Sequence, residues 1–148
     1  MKFVISAAFQ PPEHMIEIAK AADEAGYEAI ASSDHAVYPE TLDTPYPYTD
    51  DGVRRYDETS HFPDPWVLAG ALSSVTKRIR FTTNVYVLPM RNPFMAAKQV
   101  ATAAALSNDR VTLTIGVGWS NLEFGLVGQE FKRRGARCDE MIEVMQKV

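Results

Sequence analysis

Four short runs rich in Val, Ile, Phe and Thr (Lys2 to Ser6, Glu28 to Ser32, Ile79 to Val87, Val111 to Val117) alternate along this chain with segments of helical periodicity. No other feature limits the fold as strongly. Strands that are apolar almost without interruption bury both faces, as parallel sheets covered by helices do. Parallel neighbours need a long crossover, and the intervening segments supply one each time. The first opens with Pro11-Pro12-Glu13, sets Met15, Ile18, Ala19 and Ala22 on one face, and stops at Gly26. Asp64-Pro65 and Asn92-Pro93 each join a capping side chain to a proline at the first helical position. The helices they open carry Val67, Leu68, Ala71, Leu72 and Val75, then Ala96, Ala97, Val100, Ala101 and Ala104. A final helix is predicted from about Arg137, carrying Met141, Val144, Met145 and Val148.

The resulting β-α order, repeated four times, makes the chain an α/β protein with a parallel sheet. An open doubly wound sheet would call for a dinucleotide glycine pattern. Gly116-Val117-Gly118 follows the fourth strand, but Gly125 stands too far along to complete it. A (β/α) barrel fits better, because polar residues with chemical potential follow several different strands. A whole barrel takes typically ~250 residues in eight units; this chain has 148. It is therefore expected to be one partial domain, residues 1–148, forming the N-terminal half of a (β/α)8 TIM-type barrel with a lid-like loop over 36–63. Val148 falls inside an amphipathic helix with no stop signal, so the expectation is half of a longer protein, a half that pairs with another chain, or a homo-oligomer.

Composition removes several classes of function. Fifteen Lys and Arg against nineteen Asp and Glu leave a net charge of −4, which is no footprint for a polyanion, and nucleic acid is not an expected partner. Lys132-Arg133-Arg134 with Arg137 reads as a solvated helix entrance. No apolar stretch is long enough to span a bilayer and the N-terminus runs straight into a strand, so a cytoplasmic location is expected. The single cysteine, Cys138, excludes an internal disulfide and reads as a helix residue.

Asp34 and His35 follow the second strand, at the edge where α/β folds place their chemistry. An imidazole exchanges protons near neutrality, and a carboxylate orients it or accepts hydrogen bonds from a ligand. Adjacent residues of an extended strand point to opposite faces, so the two are expected to serve different groups. Asn84 is poor strand material and is expected to face the interior or a bulge. Gly116-Val117-Gly118-Trp119-Ser120 offers close backbone approach, an aromatic wall and a hydroxyl. Glu123 reads as an exposed carboxylate in a first helical turn. The loop after His35 holds Tyr38, Tyr46, Tyr48, Tyr56, His61 and Phe62 among several aspartates, yet no ligand spacing supports a metal, and Ser32-Ser33 lacks a Gly-x-Ser-x-Gly elbow.

Taken in order, Ser33-Asp34-His35, Val37-Tyr38-Pro39, Pro45-Tyr46-Pro47-Tyr48, Asn84 to Pro89, Asn92-Pro93, Ala97-Lys98-Gln99 and Gly116-Val117-Gly118-Trp119 resemble the luciferase-like monooxygenase family, and within it the branch using the deazaflavin coenzyme F420. The resemblance implies a TIM-type barrel and an oxidoreductase exchanging hydride between the deazaflavin and a small organic substrate. FMN-dependent oxygenation is the alternative, and an inactive or partner-dependent half barrel is another. It further implies His35 as the catalytic imidazole, Asp34 as a contact of the cofactor head group, and Asn84-Val85 as a bulge, often with a cis peptide, behind the cofactor ring. Gly118, Trp119 and Ser120 are implied as cofactor contacts after the fourth strand. One branch, the sugar-phosphate dehydrogenases, carries a catalytic Glu near Asn121, and there this chain departs from it.

Overall fold

A computed structural model describes residues 1–148. The elements run β1 (Val4–Ser6), α1 (Pro12–Glu24), β2 (Ala29–Ser32), α2 (Pro65–Ser73), β3 (Arg80–Thr83), β4 (Tyr86–Val87), a 3-10 turn (Leu88–Met90), α3 (Pro93–Ser107), β5 (Val111–Thr112), β6 (Ile115–Gly116), α4 (Asn121–Leu126) and α5 (Arg134–Met145). β1, β2, β3 and β5 pair in parallel in that order, and β4 pairs in parallel with β6. Sequential parallel strands joined by helices are what the alternation predicts. β1 and β5 stand at the two edges.

The caps act where the sequence places them. Asp64 accepts hydrogen bonds from the N–H groups of Trp66 and Val67, and Asn92 from those of Phe94 and Met95. Gly26, at φ 80°, ends α1 while the Tyr27 N–H donates back to the Ala22 carbonyl at 3.0 Å, a left-handed closure that glycine adopts without steric cost. Met15 and Ala19 from α1, Leu72 from α2, Ile30 and Phe81 from the sheet, Ala96 and Ala103 from α3, and Cys138 and Met141 from α5 share one core. Each large apolar side chain so buried contributes about 1.5–3 kcal/mol. Asp23, at the end of α1, accepts from the N–H groups of Lys77, Arg78 and Ile79 at 3.0, 2.8 and 2.7 Å and so fixes where β3 begins. Burial works to raise its carboxyl, but those three bonds and the Arg78 charge outweigh it and hold the group below its ordinary value.

Two expectations need correcting. The third and fourth runs are not continuous strands. Thr82 pairs with Thr112 while Tyr86 pairs with Ile115, so residues 83–85 stand opposite 113–114 and the register slips by one. This is a bulge, and the Asn84–Val85 peptide inside it is cis. The Thr83 hydroxyl fills the gap in the ladder, donating to the Thr114 carbonyl at 2.7 Å and accepting from the Thr114 N–H at 3.2 Å. Helix α5 also begins a turn earlier than predicted and ends at Met145, short of Val148, and Arg134 and Arg137 are not solvated as Lys132 and Arg133 are. Arg134 donates to the Gly118 carbonyl at 3.0 Å, and Arg137 donates to the carbonyls of Pro89 and Arg91 at 3.0 and 2.9 Å. Both arginines thus brace the loops after β4 and β6. No helix is long and apolar enough to cross a membrane.

Candidate active site

The C-terminal ends of β2, β4 and β6 and the loop after β1 surround a cavity of about 600 Å³. Ser33, Asp34 and His35 enter it from β2, Asn84 and Val85 from the bulge, and Gly116 to Ser120 from the end of β6. Tyr46, Tyr48, Tyr56 and Phe62 close over it from the long loop. Asp34, His35, Asn84, Val85, Gly118, Trp119 and Ser120 therefore border one space, while Tyr38 and His61 of the loop do not.

Asp34 and His35 do serve different partners. Asp34 is 7% exposed and accepts from the Val87 N–H at 2.8 Å while forming an ion pair with Arg91. Arg91 in turn donates to the Val87 carbonyl at 2.9 Å and lies over the Tyr86 ring at 4.4 Å. Asp34 is thus a tie between the end of β2 and the β4 turn as well as a lining residue. The His35 ring turns the other way. Its Nδ1 lies 2.9 Å from Glu123 Oε2, and its Nε2 lies 3.4 Å from the Tyr56 hydroxyl. Phe62 and Trp119 hold the ring edge-on at centroid distances of 4.9 and 6.0 Å.

Glu123 reverses the expectation of an exposed carboxylate, being 3% exposed. Its Oε1 accepts from the Ala36 N–H at 2.7 Å and more weakly from that of Val37 at 3.4 Å. Burial pushes its carboxyl up, but the hydrogen bond and charge of His35 together with the two backbone N–H groups prevail and keep it below the ordinary glutamate value. The one local signal in the sequence points the other way. Ser120 and Glu123 have the spacing of a capping box, and the Ser120 hydroxyl does accept from the Glu123 N–H at 3.3 Å. The Glu side chain, however, crosses to the loop after β2 instead of returning to its own helix.

The rear wall is the bulge. Asn84 donates its backbone N–H to Ser32 O at 2.7 Å and leaves its side chain exposed. A Cβ at Gly116 would collide with the Val85 side chain, which lies across that glycine. Gly118, at φ 78°, would place a Cβ 2.6 Å from Val87 Cγ1 and 2.9 Å from Phe124 Cε2. Both glycines are thus demanded by neighbouring side chains, which pack directly onto their backbone. Trp119 is half-buried, 5.3 Å edge-on from Tyr46.

Within the loop, Tyr56 contacts the rings of Phe9, Tyr38, Tyr46 and Phe62. Burial, reinforced by the neighbouring Tyr46, pushes its phenol up to about 12. Asn121 donates to Asp43 at 3.0 Å, and a backbone bridge joins Phe9 to His61. The loop is therefore anchored from β1 and α4 and covers the His35 side of the cavity. His61 is exposed, and no group of three or more His, Cys, Asp or Glu side chains is placed to hold a metal ion. The geometry offers one imidazole, backed by a buried carboxylate, for proton exchange with a molecule in an aromatic-walled space.

Comparison with known proteins identifies the family and the fold. Residues 1–148 match the family described as luciferase-like monooxygenase. A protein of Mycobacterium tuberculosis, itself uncharacterized, is 39% identical over 146 residues, covering 99% of this chain and 51% of that one. An F420-dependent glucose-6-phosphate dehydrogenase of Amycolatopsis mediterranei is 32% identical over 143 residues, covering 93% of this chain and 38% of the dehydrogenase. The fold also matches the oxygenating constituent of 3,6-diketocamphane monooxygenase from Pseudomonas putida, solved with FMN, at a TM-score of 0.76 and 20% identity, over 98% of this chain and 38% of that one. The chain spans about half the length of the first relatives it matches.

Proposed function

We propose, from the premise that this chain belongs to the luciferase-like monooxygenase family, that it forms the His35 side of a coenzyme F420 site used for hydride exchange with a small organic substrate. The observation that carries this reading is the His35 imidazole, held between Glu123 and the cavity at the convergence of three strand ends. Val85, packed directly onto Gly116, forms with Gly118 the wall offered to a flat ring. Asn84 and Val85 back that ring, Gly118, Trp119 and Ser120 flank it, and Asp34 borders its head group. Coenzyme F420, when bound, supplies a ring carbon that accepts or returns hydride. His35 takes the proton that the substrate releases as it gives up hydride, and returns it in the reverse direction. Residues 36–63 act as the lid that excludes water. The rest of the pocket comes from residues outside this chain, either further sequence or a second copy.

The dehydrogenase relative favours the deazaflavin, and the alternative within the same fold is FMN-dependent oxygenation. Titration of the protein with each cofactor, followed by tryptophan emission, separates them. Trp119 borders the cavity while Trp66 lies in the core, so a bound ring quenches chiefly Trp119. Saturable quenching by coenzyme F420 is expected. Preferential binding of FMN would overturn the cofactor choice, and binding of neither by the complete protein would overturn the reading. A His35→Ala variant is expected to bind cofactor and lose turnover.

A further inference from the structure

We infer that Glu123 is a positioning residue that pins the proton of neutral His35 on Nδ1 and so presents Nε2 to the cavity as a bare acceptor. An ionised carboxylate only accepts hydrogen bonds, so the nitrogen 2.9 Å from Oε2 must carry the hydrogen. The second oxygen is not free to turn, because the Ala36 N–H donates to it at 2.7 Å. Ala36 follows His35 directly, so the carboxylate grips backbone and ring of the same segment and sets the ring plane. On the far side Nε2 meets the Tyr56 hydroxyl at 3.4 Å, a group able to donate to a bare nitrogen and to move away with its loop. The low carboxyl value of Glu123 agrees with an ionised acceptor. The inference rests on the proposed function only for the use made of Nε2; the tautomer itself follows from the contacts.

The test is the nitrogen-15 spectrum of the imidazoles in the labelled protein, recorded at a pH where the spectrum itself shows the His35 ring neutral. His35 is one of three histidines and is assigned by the signals lost in His35→Ala. The parent protein should show His35 protonated at Nδ1. In Glu123→Gln the Ala36 N–H requires the amide oxygen, which turns the amide NH2 toward His35; Nδ1 must then accept, and the proton should move to Nε2. Glu123→Asp, which keeps an acceptor in place of the amide, should restore the parent tautomer. A purely structural carboxylate would leave the ring nitrogens of Glu123→Gln as in the parent, and that result, or a parent protonated at Nε2, overturns the inference. If the tautomer inverts as expected but the complete protein binds no deazaflavin, the positioning role stands and the cofactor reading fails.

Discussion

Asp34 offers the sharpest test of how site and fold share residues, because the family resemblance gives it to the cofactor while its contacts give it to the β4 turn. Asp34→Asn removes the charge and keeps the shape. The amide oxygen can still accept from the Val87 N–H, but its NH2 then points at the Arg91 guanidinium, donor against donor. The side chains of Asp34 and Arg91 are 3% and 21% exposed, so neither half of the pair is fully rescued by water. Breaking a buried pair at one partner costs roughly 3–5 kcal/mol. Arg91 keeps its bond to the Val87 carbonyl and its place on the Tyr86 ring, and its partial exposure favours the low end, about 3 kcal/mol. At roughly 2–4 °C per kcal/mol for a chain of this size, the melting temperature should fall by about 6–12 °C. The assay is thermal unfolding by circular dichroism without cofactor, with Arg91→Met and the double variant completing a cycle. A double variant that loses markedly less than the two singles combined marks the pair as coupled. If Asp34→Asn melts within about 2 °C of the parent in the absence of cofactor, the reasoning fails and the carboxylate belongs to ligand binding alone.

Gly118→Ala should destabilise by roughly 2–4 kcal/mol, since the left-handed backbone costs an alanine about 1–2 and the crowding by Val87 and Phe124 adds a similar amount; denaturant unfolding reads it. Glu123 and Asp23 both have folded values below their unfolded ones, so their stabilisation is complete above about pH 4.5 and is lost as pH falls through the folded values. Melting curves against pH should accordingly show an acid slope that is shallower in Glu123→Gln, and an unchanged slope would contradict the pairing. Tyr56 titrates in the opposite sense: its folded value of about 12 lies above the ordinary 10, so its contribution is whole below pH 10 and declines as pH rises toward the folded value. Tyr56→Phe should remove the latest component of the alkaline tyrosinate absorbance change, and its persistence would place Tyr56 outside the buried ring cluster.

The sequence itself determined the alternation of strands and helices, the three helix starts at Pro11-Pro12, Asp64-Pro65 and Asn92-Pro93, the stop at Gly26, and the collection of Asp34, His35, Asn84 and Gly116 to Ser120 at strand ends. These are decided by forces acting within one turn or one strand: capping bonds, the fixed proline φ, the freedom of glycine and side-chain period. Tertiary structure alone decided the rest. The third strand slips by one residue because the Thr83 hydroxyl finds the Thr114 backbone on the neighbouring strand, not because of anything adjacent to it. Arg134 and Arg137 leave solvent because carbonyls of Gly118, Pro89 and Arg91 arrive beside them. Glu123 looks like a surface carboxylate until the fold brings it across 88 residues to His35. A buried charge is tolerated only where donors converge on it, and a chain's own neighbours cannot tell which distant donors will.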